Sequence, residues 1–180
     1  KEQLLKEIWN EDMETKPAQP KYNLIMSDDV ATKVEAQRIL ADDIISVIDR
    51  AETTGRRTRN PENGHYKAYN EIGAITLWVE YGDLGNPADK DREIYNIYAH
   101  SMQMGKAGAK ASAKKDEKPA EKLICDRCGV EMEMIEASFN YLSRGFRHKV
   151  PRCPECGQVS LPEELVTGKM ADVEAMIEDK

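Results

Sequence analysis

Four cysteines are the residues of this 180-residue sequence best suited to chemistry. They stand as Cys125-Asp126-Arg127-Cys128-Gly129 and Cys153-Pro154-Glu155-Cys156-Gly157, two matching Cys-x-x-Cys-Gly turns. In such a turn two thiolates point at one spot, and the amides after the first Cys face its sulfur. A glycine directly after the second Cys suits a backbone that needs positive φ. Pro154 stiffens the second turn by fixing its own φ. Two of these turns facing each other make a tetrahedral four-sulfur cage, the closed arrangement of a structural zinc site. The same sulfurs hold iron equally well, and iron so held passes single electrons. A disulfide pair or free thiols are the alternatives that need no metal.

Other candidate groups are weaker. Arg56, Arg57 and Arg59 bind an anionic cofactor or acidic partner, or are a solvated helix end. His65 and His100 form a paired site, or are separate sheet histidines. Arg127, Arg144, Arg147, His148, Lys149 and Arg152 cluster around the cysteines, with Glu131, Glu133 and Glu136 to offset them. There is no glycine-rich phosphate loop, no nucleophile elbow and no His-Glu-x-x-His. No active site belonging to the chain itself is expected.

Charge narrows the partners. The net charge is −7, yet Lys122–Leu161 carries 6 basic and 5 acidic residues and is near neutral. A binder of phosphate backbones needs a dominant positive field, so nucleic acid is not the expected partner. No apolar run approaches a membrane span. Every cysteine is in a knuckle, so no secreted disulfide scaffold is indicated and a reducing cytoplasm fits best.

The elements that must position the cysteines read as an α+β chain. Residues 1–104 form a docking domain, 105–120 a flexible linker of Ala, Lys and Gly, and 121–180 a four-cysteine ribbon plus a helix. Lys1–Asn10 reads as a short amphipathic helix with Trp9 as a partner anchor, and Lys16–Tyr22 as an extended connector. A long helix is expected from Ser27 or Asp28 to about Glu52, with Val30, Val34, Leu40, Ile44, Val47, Ile48 and Ala51 as its apolar stripe. Gly55 stops it. Three antiparallel strands follow over His65–Ile72, Ile75–Tyr81 and Arg92–Met102. Gly105–Pro119 has no large apolar residue with which to offset ordering entropy, hence the tether. Beyond it, Val130–Leu142 and Phe146–Val150 form a hairpin turning at Ser143–Gly145. Gln158–Leu161 is a short strand, and Pro162 opens a helix to about Asp179. This ribbon has a thin core, a deficit that a bound ion makes up.

The two knuckles resemble rubredoxin, which uses Cys-x-x-Cys-Gly followed by Cys-Pro-x-Cys-Gly. Here 24 residues separate Cys128 from Cys153, including Phe139, Tyr141 and Phe146 but no Trp, and a helix follows. Those features favour zinc, with iron as the alternative. The ribbon followed by Leu161-Pro162-Glu163-Glu164 also resembles zinc-finger antitoxins of the YgiT type, whose helix-turn-helix domain is not seen in the sequence through Lys180. A closer likeness is to a family of small "redox proteins" of anaerobic bacteria. It covers Ile124–Lys180, about a third of the chain, and rests on the knuckles plus the Pro162–Glu174 helix. Members are thought to accompany molybdenum-dependent aldehyde oxidoreductases and iron–sulfur flavoproteins. The resemblance implies a non-catalytic accessory or electron-transfer subunit with larger redox subunits as partners. It carries over Cys125, Cys128, Cys153 and Cys156 as ligands. The alternative is a zinc-ribbon regulator that binds nucleic acid or a toxin.

Overall fold

The computed structural model of the chain describes residues 21–84, 90–110, 122–142 and 144–178. The expected helix Lys1–Asn10, most of the connector Lys16–Tyr22 and residues 111–120 of the tether lie outside them. In order, the described elements are β1 (Asn23–Met26), α1 (Asp28–Ala36), α2 (Ala41–Thr54), β2 (Thr58–Arg59), β3 (Tyr66–Ile72), β4 (Ile75–Asp83) and β5 (Asp91–His100). Then come β6 (Gln103–Lys110), β7 (Ile124–Cys125), β8 (Val130–Glu131), β9 (Glu133–Tyr141) and β10 (Arg144–Arg152). A π-wound turn, Leu165–Met170, runs into α3 (Ala171–Glu178). The chain is α+β, as expected.

The long helix is instead two short ones. Ser27 caps α1, its hydroxyl accepting from the Val30 N–H, and Asp28 and Asp29 fill the first turn, where negative charge suits the helix dipole. The chain leaves α1 through Arg38 at φ 54, with the Ile39 N–H bonded to the Val34 carbonyl. This is a Schellman-type stop, completed by the apolar pair Val34 and Ile39. The Leu40 N–H then donates to the Asp43 carboxylate at 3.1 Å, which starts α2. The break rotates the apolar stripe. Ile39 is buried, whereas Leu40, expected in the core, is 65% exposed.

Seven strands form one sheet in the order β1-β5-β4-β3-β2-β7-β8, with β1 parallel to β5. The meander β3-β4-β5 is antiparallel, as the sequence indicates. A bulge in the β4–β5 pairing sets Glu80 opposite Asn96 and Tyr81 opposite Ile94, leaving Tyr95 as the extra residue. Strict alternation puts Ile94 and Ile97 on opposite faces; the bulge places both in one core. A second sheet runs β10-β9-β6. Gly105–Lys110, assigned to the tether on composition, thus belong to a strand paired with β9. The β9–β10 hairpin pairs Tyr141 with Arg144, so it turns one residue earlier than expected, through Leu142 at φ 51. Gln158–Leu161 makes only an isolated bridge, Val159 to Arg152.

Both faces of the large sheet are covered. On one, Leu77, Val79, Tyr81, Ile94 and Ile97 meet Ile44, Val47, Ile48 and Ala51 of α2. On the other, Trp78 and Tyr98 meet Ile135, Ala137 and Phe139 of β9, Val150 of β10, and Leu161, Leu165, Val166 and Met170. The Tyr98 hydroxyl donates to the Leu161 carbonyl at 2.6 Å. Glu163 adds a polar tie, accepting from Lys33 at 2.9 Å and Asn96 at 2.5 Å. The ribbon's thin core is thus completed by aromatic rings from the meander. Replacing Trp78 by Ala should cost about 3–5 kcal/mol, the range for truncating a buried large aromatic. Amide exchange in β9 should accelerate along with that in β4. Unchanged β9 protection would show that the two halves do not share this core.

Candidate metal centre

The first knuckle lies in the large sheet. Cys125 ends β7, pairing with Thr58 of β2 on one side and Val130 of β8 on the other. The Gly129 N–H donates to the Cys125 carbonyl at 2.8 Å. The second knuckle hangs below β10. There the Cys153 N–H donates to the Gln158 carbonyl at 2.7 Å and the Gly157 N–H to the Cys153 carbonyl at 3.0 Å. Gly129 (φ 69) and Gly157 (φ 75) both adopt the left-handed backbone that the spacing indicates.

The four sulfurs converge. All lie within 4.8 Å of one another, and Cys125 Sγ and Cys156 Sγ are 3.6 Å apart. Tetrahedral zinc with Zn–S near 2.3 Å puts its sulfurs about 3.8 Å apart, so the cage needs little adjustment to fit. The cysteines are free thiols, not disulfides. Each knuckle supplies one buried sulfur residue, Cys125 or Cys153, and one partly exposed, Cys128 or Cys156. Among the described residues no other compact group of His, Cys, Asp and Glu is suited to a metal.

Protonation follows from the crowding. Burial pushes the Cys125 thiol up to about 11, and desolvation together with bonds to its three neighbours raises Cys128 further. Burial opposes ionisation of Cys153 as well, but the N–H groups of Cys156 and Glu155 donate to its sulfur and bring it down to about 7. Those two donors favour the Cys153 thiolate in the metal-free cluster. A bound ion needs all four as thiolates, so loading releases protons.

The arginines after α2 divide. Arg59 is exposed and Arg56 half-buried, whereas Arg57 turns inward to the first knuckle. Its Nε donates to Asp126 Oδ2 at 2.8 Å and its Nη1 to Glu52 Oε1 at 2.5 Å. Its guanidinium lies 3.8 Å from the Tyr66 ring centroid. Local sequence carries no sign of this partnership, since 69 positions separate Arg57 from Asp126.

The histidines are not brought together. His65 stacks on Tyr95 and bonds Glu80 at 3.0 Å. His100 lies at the other end of β4, opposite Thr76, and its Nε2 accepts from the Trp78 indole at 3.2 Å. Burial pushes His100 down to about 4, with the Met102 backbone opposing slightly. The basic cluster is partly answered across the hairpin, where Lys149 stands opposite Glu136 and Arg152 opposite Glu133. Arg152 also donates to the Gly157 carbonyl at 3.4 Å. A cleft of about 400 Å³ opens beside Tyr69, Trp78, His100 and Met102, and none of the cysteines lines it.

A family model described as a domain of unknown function (DUF7479) matches residues 121–180, which contain both knuckles, the β9–β10 hairpin and the C-terminal helix. No curated protein and no solved structure matches the chain. The matched segment is one third of the sequence and excludes β6, Trp78 and Tyr98, with which its hydrophobic face is shared. No helix among the described residues is long and apolar enough to cross a membrane.

Two expectations follow from the protonation states. Zinc loading in weakly buffered solution should acidify it, and affinity should rise with pH through the neutral range, most steeply below about 7 where Cys153 is protonated along with Cys125 and Cys128. A pH-independent affinity measured by chelator competition would contradict the four-thiolate site. For His100, the unfolded chain binds its proton below the ordinary value of 6.5 and the folded chain only below about 4. Stability from the neutral imidazole is present above 6.5 and is lost as pH falls from 6.5 towards 4, by on the order of 3 kcal/mol. His100→Gln should flatten that part of the urea-denaturation profile.

Proposed function

We propose that this chain is a non-catalytic, metal-binding accessory subunit of an oxidoreductase complex, with zinc held by Cys125, Cys128, Cys153 and Cys156. The observation that supports it most directly is the closed cage of four sulfurs. A site saturated by protein ligands leaves no coordination position for substrate or water, so its use is structural. The α+β unit offers a rigid body for docking on a larger subunit, of iron–sulfur, flavin or molybdenum type. Four thiols that must remain reduced suit a cytoplasmic setting.

Iron in the same cage changes the role from scaffold to one-electron relay, and the partly exposed Cys128 and Cys156 favour that version. Electrons leave a thiolate-bound iron most readily through sulfurs near the surface. A regulator that binds nucleic acid is supported by the exposed Arg144 and Arg147 on β10. It is opposed by the Glu136 and Glu133 registers and by the net charge of −7.

Metal analysis and a visible spectrum of anaerobically purified protein separate these readings. Stoichiometric zinc with no colour, and co-purification with a larger redox subunit, are expected. Stoichiometric iron with thiolate charge-transfer bands would convert the role to electron transfer. Protein without either metal, or a complex lacking any redox subunit, would end the proposal. Steeply salt-dependent binding to nucleic acid would favour the regulator.

A further inference from the structure

Asp126 and Arg127 are the two residues between the ligands Cys125 and Cys128, and both touch the turn that follows α2. The Asp126 N–H donates to the Arg57 carbonyl at 3.0 Å, and its carboxylate accepts from Arg57 Nε at 2.8 Å. Gly55, at φ 68, brings its backbone so close that a Cβ there would lie 3.4 Å from Arg127 Cβ. The second knuckle has no such support, because Pro154 and Glu155 are exposed. It depends on its own proline and on Arg152. The first knuckle has no proline, and beyond its own β7–β8 pairing the groups that fix it come from the other half of the chain.

We infer that Arg57 is a positioning residue of the metal centre, so that closing the Glu52–Arg57–Asp126 clamp and binding the ion are one coupled equilibrium. The inference rests on reading the four sulfurs as a metal site. The Arg57 side chain is 14% exposed, so water does not screen it as it screens a surface pair. Its orientation is set by Glu52, by the Tyr81 hydroxyl at 3.3 Å and by the face of Tyr66. The guanidinium therefore has one pose, and that pose fixes the carboxylate of a residue next to a ligand. Groups that orient metal ligands through a second layer of hydrogen bonds typically change affinity by 10–100-fold. Linkage makes the effect mutual: the factor by which the clamp tightens metal binding is the factor by which metal favours the closed clamp.

The test uses the full chain and its Arg57→Met, Arg57→Lys and Asp126→Ala variants, with the Arg57→Met/Asp126→Ala double variant. Zinc affinity is measured by competition with a chromophoric chelator, and cobalt(II) spectra are taken at saturation. Arg57→Met and Asp126→Ala should each weaken zinc binding by roughly 10–100-fold and shift the cobalt ligand-field bands. Arg57→Lys should recover part of the loss, and the double variant should be no worse than the weaker single one. Single variants within about twofold of the parent chain, or losses that multiply in the double variant, would overturn the inference. If metal-saturated Arg57→Met lacks the parent near-ultraviolet circular dichroism, Asp126→Ala alone decides. A parent chain that binds neither zinc nor cobalt ends the metal reading itself, whereas tight parent binding with unaffected variants ends only this inference.

Discussion

A strand that is apolar on both faces must be covered twice. Strand β4 imposes that constraint here, with Leu77, Val79 and Tyr81 facing the helices and Trp78 facing away. An uncovered Trp78–Tyr98 surface would leave large aromatic rings in water, at a cost of about 25 cal/mol for each Å² of apolar area. The C-terminal half supplies the second cover. The three-layer arrangement, the seam between the halves and the placement of the first knuckle at the end of the large sheet all follow from that need.

The metal site and the shared core solve different parts of one problem. A ribbon of about sixty residues has too little interior to define itself. The cage fixes the two knuckles relative to each other. The Trp78 and Tyr98 rings fix the β9–β10 hairpin through Ile135, Ala137, Phe139 and Val150. Arg57 ties the first knuckle to the helix-facing side of the large sheet, because it lies against Tyr66 and Tyr81 and bonds to Asp126.

The cysteine constellation was legible because local spacing determines it. Cys-x-x-Cys followed by Gly forces two sulfurs together within five residues, and the pair of knuckles requires only that they meet. The meander was legible for a similar reason, since the alternation of Ile75–Tyr81 is a local signal. What the sequence concealed depends on partners distant along the chain. The break after α1 rests on Arg38 accepting a left-handed backbone, a conformation that favours glycine, and on an Asp43 cap that looks like any acidic residue in a first turn. Strand β6 is poor in β-forming residues and is a strand because β9 pairs with it. Its composition matches a solvated linker, and only the neighbouring backbone decides otherwise. The Tyr95 bulge and the Arg57–Asp126 bond are likewise invisible to any window of a few residues.

The outer edge of β10 bears on how copies of this chain meet. A sheet margin offers unpaired backbone groups to any extended segment that arrives. Along this margin Arg144 and Arg147 are exposed, and at the far end the Pro151 carbonyl already accepts from the Ser160 N–H at 3.0 Å. A second β10 approaching side by side would bring like-charged arginines to the seam and find the Pro151 end already paired. This margin of the three-stranded sheet is thereby poorly suited to growth by self-addition.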